Sequence, residues 1–120
     1  MDKKILLVDD AAFMRMLIRD TLTKAGYTNI IEAADGEIAC NMYEAEKPDL
    51  VVLDITMPNK TGIEALSEIK AKNPAAKVIM CSAMGQEAMV VEAIKLGALD
   101  FIVKPFKPDR ILQTVEKILA

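Results

Sequence analysis

Lys4-Ile5-Leu6-Leu7-Val8-Asp9-Asp10 is a short apolar run that ends abruptly in two carboxylates, and the chain beyond it, as far as Gly26, changes period. Ile5 to Val8 are continuously apolar, the pattern of a strand buried on both faces. Met14, Leu17, Ile18, Thr21, Leu22 and Ala25 then recur at spacings of three and one, which predicts a helix with a single buried stripe. Gly26 supplies a left-handed stop. A strand followed by one amphipathic helix is the repeating unit of a parallel sheet.

The unit recurs along the chain. Asn29–Ala33, Leu50–Leu53, Lys77–Cys81 and Asp100–Val103 are further apolar runs, each followed by a helical pattern and bounded by Gly, Pro, Asn or Asp. Pro48, Pro74 and Gly97 close the second, third and fourth helices, and Pro108 stands near the start of a fifth that carries Ile111, Leu112, Val115, Ile118 and Leu119. Right-handed crossovers place such helices on both faces of the sheet. The prediction is a single doubly wound α/β domain over residues 1–120, with five strands, five helices, no linker and no output domain.

Composition narrows the chemistry. At 120 residues the chain can bury one core. Net charge is −3 and the lysines and arginines are dispersed, so no nucleic-acid partner is expected. No apolar run nears the ~20 residues of a membrane span. Met1-Asp2-Lys3-Lys4 leads straight into the first strand without a cleavable apolar segment, so a soluble, cytoplasmic protein without a membrane partner is expected. Histidine is absent, which removes Ser-His-Asp and Cys-His catalysis and histidine metal sites. Cys40 and Cys81 lie in separate periodic segments and are expected as buried, reduced thiols.

In an open parallel sheet the working crevice lies beyond the carboxyl ends of the strands. The residues there are Asp9-Asp10, Asp54, Ser82 and Lys104. Singly, each could cap a helix or solvate a turn. Together, three carboxylates from neighbouring strands repel one another unless a proton or cation intervenes. With oxygen ligands alone the cation expected is Mg²⁺, or Mn²⁺, with water completing its shell. A hard cation beside a carboxylate, an amine and a hydroxyl suits phosphoryl transfer. Asp54 is then the nucleophile that becomes an acyl phosphate, Lys104 pairs with one phosphoryl oxygen, and Ser82 donates a hydrogen bond to another.

The chain resembles the receiver domain of bacterial two-component systems over its whole length. The resemblance rests on Leu7-Val8-Asp9-Asp10, Leu53-Asp54-Ile55-Thr56-Met57-Pro58, Gly62, Ser82-Ala83 and Lys104-Pro105-Phe106, in the family's order and at its spacing. The segments Asp9–Arg15 and Cys81–Gln86 are most similar to the family's chemotaxis members from Gram-positive and thermophilic bacteria. It implies strand order 2-1-3-4-5, Mg²⁺ held by Asp10, Asp54 and the backbone carbonyl of Thr56 with Asp9 acting mainly through water, and a cis Lys104-Pro105 peptide. It further implies a monomeric signalling switch that catalyses only its own phosphorylation and dephosphorylation. The partners implied are a histidine kinase as phosphodonor, an aspartyl-phosphate phosphatase, and a flagellar motor switch protein that reads helix four, strand five and helix five.

The family also implies roles for less obvious residues. Ser82 and an aromatic on strand five, here Phe101, would move together on activation, and Thr56 and Met84 would tune the phosphoryl lifetime. Phe101 stands where the best-known chemotaxis members have tyrosine, and is open to two roles, an ordinary core aromatic or a rotameric switch. Met84, where some relatives are polar, either shields the acyl phosphate or only packs its loop. Helix four carries more apolar residues than one stripe needs. Val91 and Ile94 are expected to face the sheet and Met89 or Val90 to face outward, forming a docking edge with Phe101, Lys107 and Arg110, unless the helix packs more deeply. Phe13 and Met16 fall off the first helix's stripe and mark a second contact. Three alternatives stay open: a phosphorelay intermediate; a haloacid-dehalogenase-like phosphatase, although Thr56 stands where a second aspartate is needed; and a flavin-binding module, although the first βα loop is acidic.

Overall fold

The computed structural model describes residues 3–119; Met1 and Asp2, read above as leading directly into the first strand, and Ala120 lie outside the described residues. Strands β1 (Ile5–Val8), β2 (Ile30–Ala33), β3 (Leu50–Asp54), β4 (Val78–Ala83) and β5 (Asp100–Lys104) alternate with helices α1 (Ala12–Lys24), α2 (Gly36–Glu46), α3 (Gly62–Lys72), α4 (Glu87–Lys95) and α5 (Pro108–Leu119). All strand pairs are parallel and the order is β2-β1-β3-β4-β5, as expected.

Side chains alternate across the sheet with period two, so strands β1 to β4 each feed two cores, while β5 feeds one through Ile102. Leu6, Val8, Val51, Leu53, Val78 and Met80 pack against α2, α3 and α4. Ile5, Leu7, Leu50, Val52, Ile79 and Ile102 pack against α1 and α5. Ile5, Leu6, Leu50 and Leu53 are fully buried, each contributing roughly 1.5–3 kcal/mol of transfer free energy. The cysteines divide between the two cores, Cys40 with the first and Cys81 with the second, so the sheet itself separates them. Burial pushes both thiols up to about 12, and they are free.

Ala25 departs from the stripe expected of the first helix. It is the residue after α1 and is exposed, because the chain reaches its left-handed turn at Gly26, φ 102°, and leaves the core face one residue early. On α5, Ile111, Val115 and Leu119 are buried as expected, joined by Thr114, while Leu112 and Ile118 are half-buried.

The other correction falls on α4. Val90 and Ala93 are its buried residues, whereas Val91 and Ile94, expected to face the sheet, are exposed together with Met89. Val90 and Ala93 join the core cluster that holds Leu66 and Ile69 of α3, and no residue of β5 belongs to that cluster. The edge strand β5 is left uncovered on that side of the sheet. Phe101 and Val103 there are 37% and 41% exposed, which removes the core-aromatic role for Phe101.

Candidate active site

Parallel strands deliver all their carboxyl ends to one edge, which is why residues far apart in sequence meet here. Asp54 closes β3, Lys104 closes β5, Ser82 is the penultimate residue of β4, and Asp9-Asp10 follow β1 directly. Asp9, Asp10 and Asp54 each present an oxygen within 4.8 Å of the others. Lys104 Nζ donates to Asp9 Oδ2 at 2.7 Å and lies 3.3 Å from Asp54 Oδ1. Asp9, Asp54 and Ser82 are buried, and Asp10 is exposed at the mouth.

Three carboxylates against one ammonium leave the cluster with excess negative charge. Burial and then the Asp9 charge push Asp54 up to about 6, against the opposing pull of Lys104. Burial works to depress Lys104, but its hydrogen bond to Asp9 and the charges of Asp54 and Asp9 outweigh it, and its pKa is raised. Asp9 is held in place from behind. Its Oδ1 accepts from Ala11 N at 2.9 Å, at the start of α1, where the helix dipole favours anions. Its backbone carbonyl accepts from Arg15, which also donates to Glu32 Oε1 at 2.8 Å. Burial raises Glu32, but Arg15 and Arg19 more than reverse this and hold it below the usual carboxylate range.

The loop from Asp54 to α3 is tightly folded. Gly62 N donates to Ile55 O at 2.7 Å, and a Cβ on Gly62 would sit 2.0 Å from Asp54 O, so any larger residue displaces the end of β3. Asn59 adopts φ 67° and donates to Asp35 Oδ2 at 2.8 Å, while the other Asp35 oxygen caps α2 at Ile38 N. Thr61 and Glu64 form a reciprocal capping box at the start of α3. Thr56, exposed in this loop, accepts at its hydroxyl from Gln86 Nε2 at 2.7 Å.

Around this centre the remaining expected residues are spread out. The Lys104-Pro105 peptide is cis. Met84 is 79% exposed on the loop after β4, so it does not pack that loop. Ser82, Met84, Val90, Val91, Ile94 and Phe101 line an open groove of about 690 Å³ between α4 and β5, joining the site to the outer face. Phe13 and Met16 are exposed on α1, as expected. Gln86, Asn59, Asp35 and Arg15, which hold the site together, carry no mark of that role in the sequence; Thr61-x-x-Glu64 is a legible capping signature, but loop-to-loop amide contacts leave no periodic trace.

The model of the response regulator receiver domain matches residues 5–116, across all five strands. The chain belongs to the response regulator receiver family. Chemotaxis protein CheY of Thermotoga maritima is 56% identical over 98% of both chains, and CheY of Bacillus subtilis 55% identical over 99% of both. Among solved structures, the NtrX receiver domain of Brucella abortus superposes with a TM-score of 0.91 at 37% identity, covering 97% of this chain and 98% of that one. Vibrio cholerae CheY4 superposes with 0.90 at 29% identity, over 99% and 100%. The chain is thus closely related to CheY, and receiver domains of this kind are signalling switches rather than classical enzymes. The dehalogenase-like and flavin-binding alternatives lose their ground, since the receiver match spans every strand they would have used. Among the described residues, no helix is long and apolar enough to cross a membrane.

Proposed function

We propose that this receiver accepts a phosphoryl group on Asp54 from a phosphohistidine of a partner histidine kinase and passes the signal, through its α4–β5–α5 face, to a flagellar motor switch protein. The observation that carries this is the meeting of Asp9, Asp10 and Asp54 within 4.8 Å beside the Lys104 ammonium. The donor set, all oxygen and in negative excess, fits Mg²⁺. Asp9, Asp10, Asp54 and the Thr56 carbonyl are the proposed holders, and the ion would supply positive charge to the phosphoryl oxygens.

An Asp54 oxygen attacks phosphorus as the phosphorus–nitrogen bond to the donor imidazole breaks, and the electron pair returns to that ring. Lys104 holds one phosphoryl oxygen and Ser82 donates to another. Phe101, on the open groove beside Ser82, is placed to change rotamer when Ser82 moves inward. Hydrolysis, by water alone or with a partner phosphatase, returns Asp54 to its carboxylate. The whole cycle runs in the cytoplasm with a monomer. The CheY relatives, matched over nearly their full length, favour chemotaxis over a phosphorelay role.

Acetyl phosphate with Mg²⁺ is expected to add a single phosphoryl group, mapped by mass spectrometry to the peptide containing Asp54; label on another peptide, or label indifferent to divalent cation, refutes the proposal. Met84, exposed beside the site, tunes the lifetime together with Thr56. Met84→Glu is expected to change the rate at which that label decays while leaving Mg²⁺ affinity alone, and equal half-lives would remove Met84 from this role. Capture of a motor switch protein only in the presence of beryllofluoride would fix the pathway.

A further inference from the structure

Cys81 faces β3 across the parallel ladder, its carbonyl accepting from Ile55 N at 3.0 Å. Two residues along a parallel strand the backbone faces the same neighbour again, so Ala83 N is due to donate to Ile55 O. That carbonyl is instead turned to Gly62 N at 2.7 Å, because β3 has ended and the chain folds back toward α3. The Ala83 N–H therefore overhangs the edge where Asp54 lies. Gln86 takes it up: Oε1 accepts from Ala83 N at 2.6 Å, while Nε2 donates to Thr56 Oγ1 at 2.7 Å. One side-chain amide thus joins the loop after β4 to the loop after Asp54.

We infer that Gln86 is a clasp on the unphosphorylated state, holding with its side-chain carbonyl a backbone N–H that a phosphoryl group on Asp54 has to claim. This rests on Asp54 being the acceptor. A phosphoryl group adds strongly accepting oxygens; Lys104 and Ser82 reach two of them, and the Ala83 N–H is the next donor along the same edge. Both acceptors cannot hold that proton, so the Gln86 carbonyl must let go. Gln86 immediately precedes α4, so its release also frees the first turn of the helix whose Val91 and Ile94 line the groove. The clasp is a positioning device that biases two arrangements of one loop, and the phosphoryl group selects between them.

Gln86→Met keeps the side-chain length and removes both of these hydrogen bonds, together with the weak one from Nε2 to Met89 Sδ at 4.0 Å. Gln86→Glu keeps an acceptor for Ala83 N, strengthens it with charge, and puts that charge beside the phosphoryl oxygens. In the metal-free protein the Ala83 amide is expected to exchange with solvent about tenfold faster in Gln86→Met than in the wild type. Titrated with beryllofluoride in excess Mg²⁺ and followed by amide resonances, Gln86→Met is expected to bind about three- to tenfold tighter, the weight of one modest net hydrogen bond, and Gln86→Glu weaker by a similar factor. A residue that merely supports the loop would weaken binding in both variants; that result, or unchanged affinity in both, overturns the clasp. Absence of label on Asp54 in the wild-type chain would overturn instead the phosphorylation on which the clasp depends, and the two failures are read in separate experiments.

Discussion

In the absence of divalent cations, an Asp54→Asn variant is expected to melt about 6–10 °C above the wild-type chain at pH 7.5, although it takes no label from acetyl phosphate. The nucleophilic oxygen is gone, so the loss of labelling is complete. The gain in stability follows from the crowding of the cluster. A carboxyl held near pH 6 instead of 3.8 corresponds to about 3 kcal/mol favouring the protonated form. Asn mimics that form permanently. That figure already carries the pull of Lys104; an amide matches a protonated carboxyl imperfectly, so a gain of roughly 2 kcal/mol is expected, and a domain of this size converts it to the stated shift in Tm.

The pH dependence has a definite sign. Because the folded pKa of Asp54 is raised, its contribution to stability is fully present below the unfolded value of about 3.8 and is lost as pH rises through about 6. Metal-free wild type should therefore lose stability relative to Asp54→Asn between pH 4 and pH 7.5, the two curves separating steadily from about pH 4 and running parallel again above about pH 6. Parallel curves for the two proteins would show that the cluster is not under electrostatic strain. Mg²⁺ should then close the gap from the other side, adding about 2.7 kcal/mol to the wild type at one hundred times its Kd and much less to the variant. Equal stabilisation of both by Mg²⁺ would remove Asp54 from the metal site.

That cluster was legible in the sequence for a topological reason. Once five apolar runs are recognised as parallel strands, the residue after each run is delivered to one edge, and Asp9, Asp10, Asp54, Ser82 and Lys104 follow without knowledge of any distance. What escaped depends on how elements lean. α4 is apolar on most of its circumference, so the periodicity of Met89, Val90, Val91, Ala93 and Ile94 does not choose a face; tertiary packing does, burying Val90 and Ala93 in the core that Leu66 and Ile69 of α3 also fill. Phe101 stays open between two roles for a similar reason: its run is apolar, and its exposure depends on which side of the sheet α4 leaves uncovered. Lys47, with φ 48° at the end of α2, shows the same limit, since nothing in a lysine announces a left-handed cap.

Lys104→Met is expected to separate the two services that this lysine performs. Its Nζ lies between Asp9 Oδ2 and Asp54 Oδ1, side chains only 5% and 10% exposed, so its removal leaves buried carboxylates facing one another. Loss of one partner from such a group costs roughly 2–4 kcal/mol in the metal-free protein at neutral pH. The same ammonium competes with a divalent cation for both carboxylates, so the variant should bind Mg²⁺ more tightly than the wild type and recover much of its stability when the ion is added. Phosphorylation should move the opposite way. With no fixed positive donor at the phosphoryl oxygen, the rate of labelling from acetyl phosphate is expected to fall about 10²-fold even at saturating Mg²⁺, the usual loss when one preorganised charge donor is removed from a transition state. Thermal melts with and without Mg²⁺, an Mg²⁺ titration and a labelling time course read these effects independently. Weaker Mg²⁺ binding in the variant would mean that Lys104 supports the metal site instead of competing with it, and wild-type labelling would mean that the transferring group never meets this side chain.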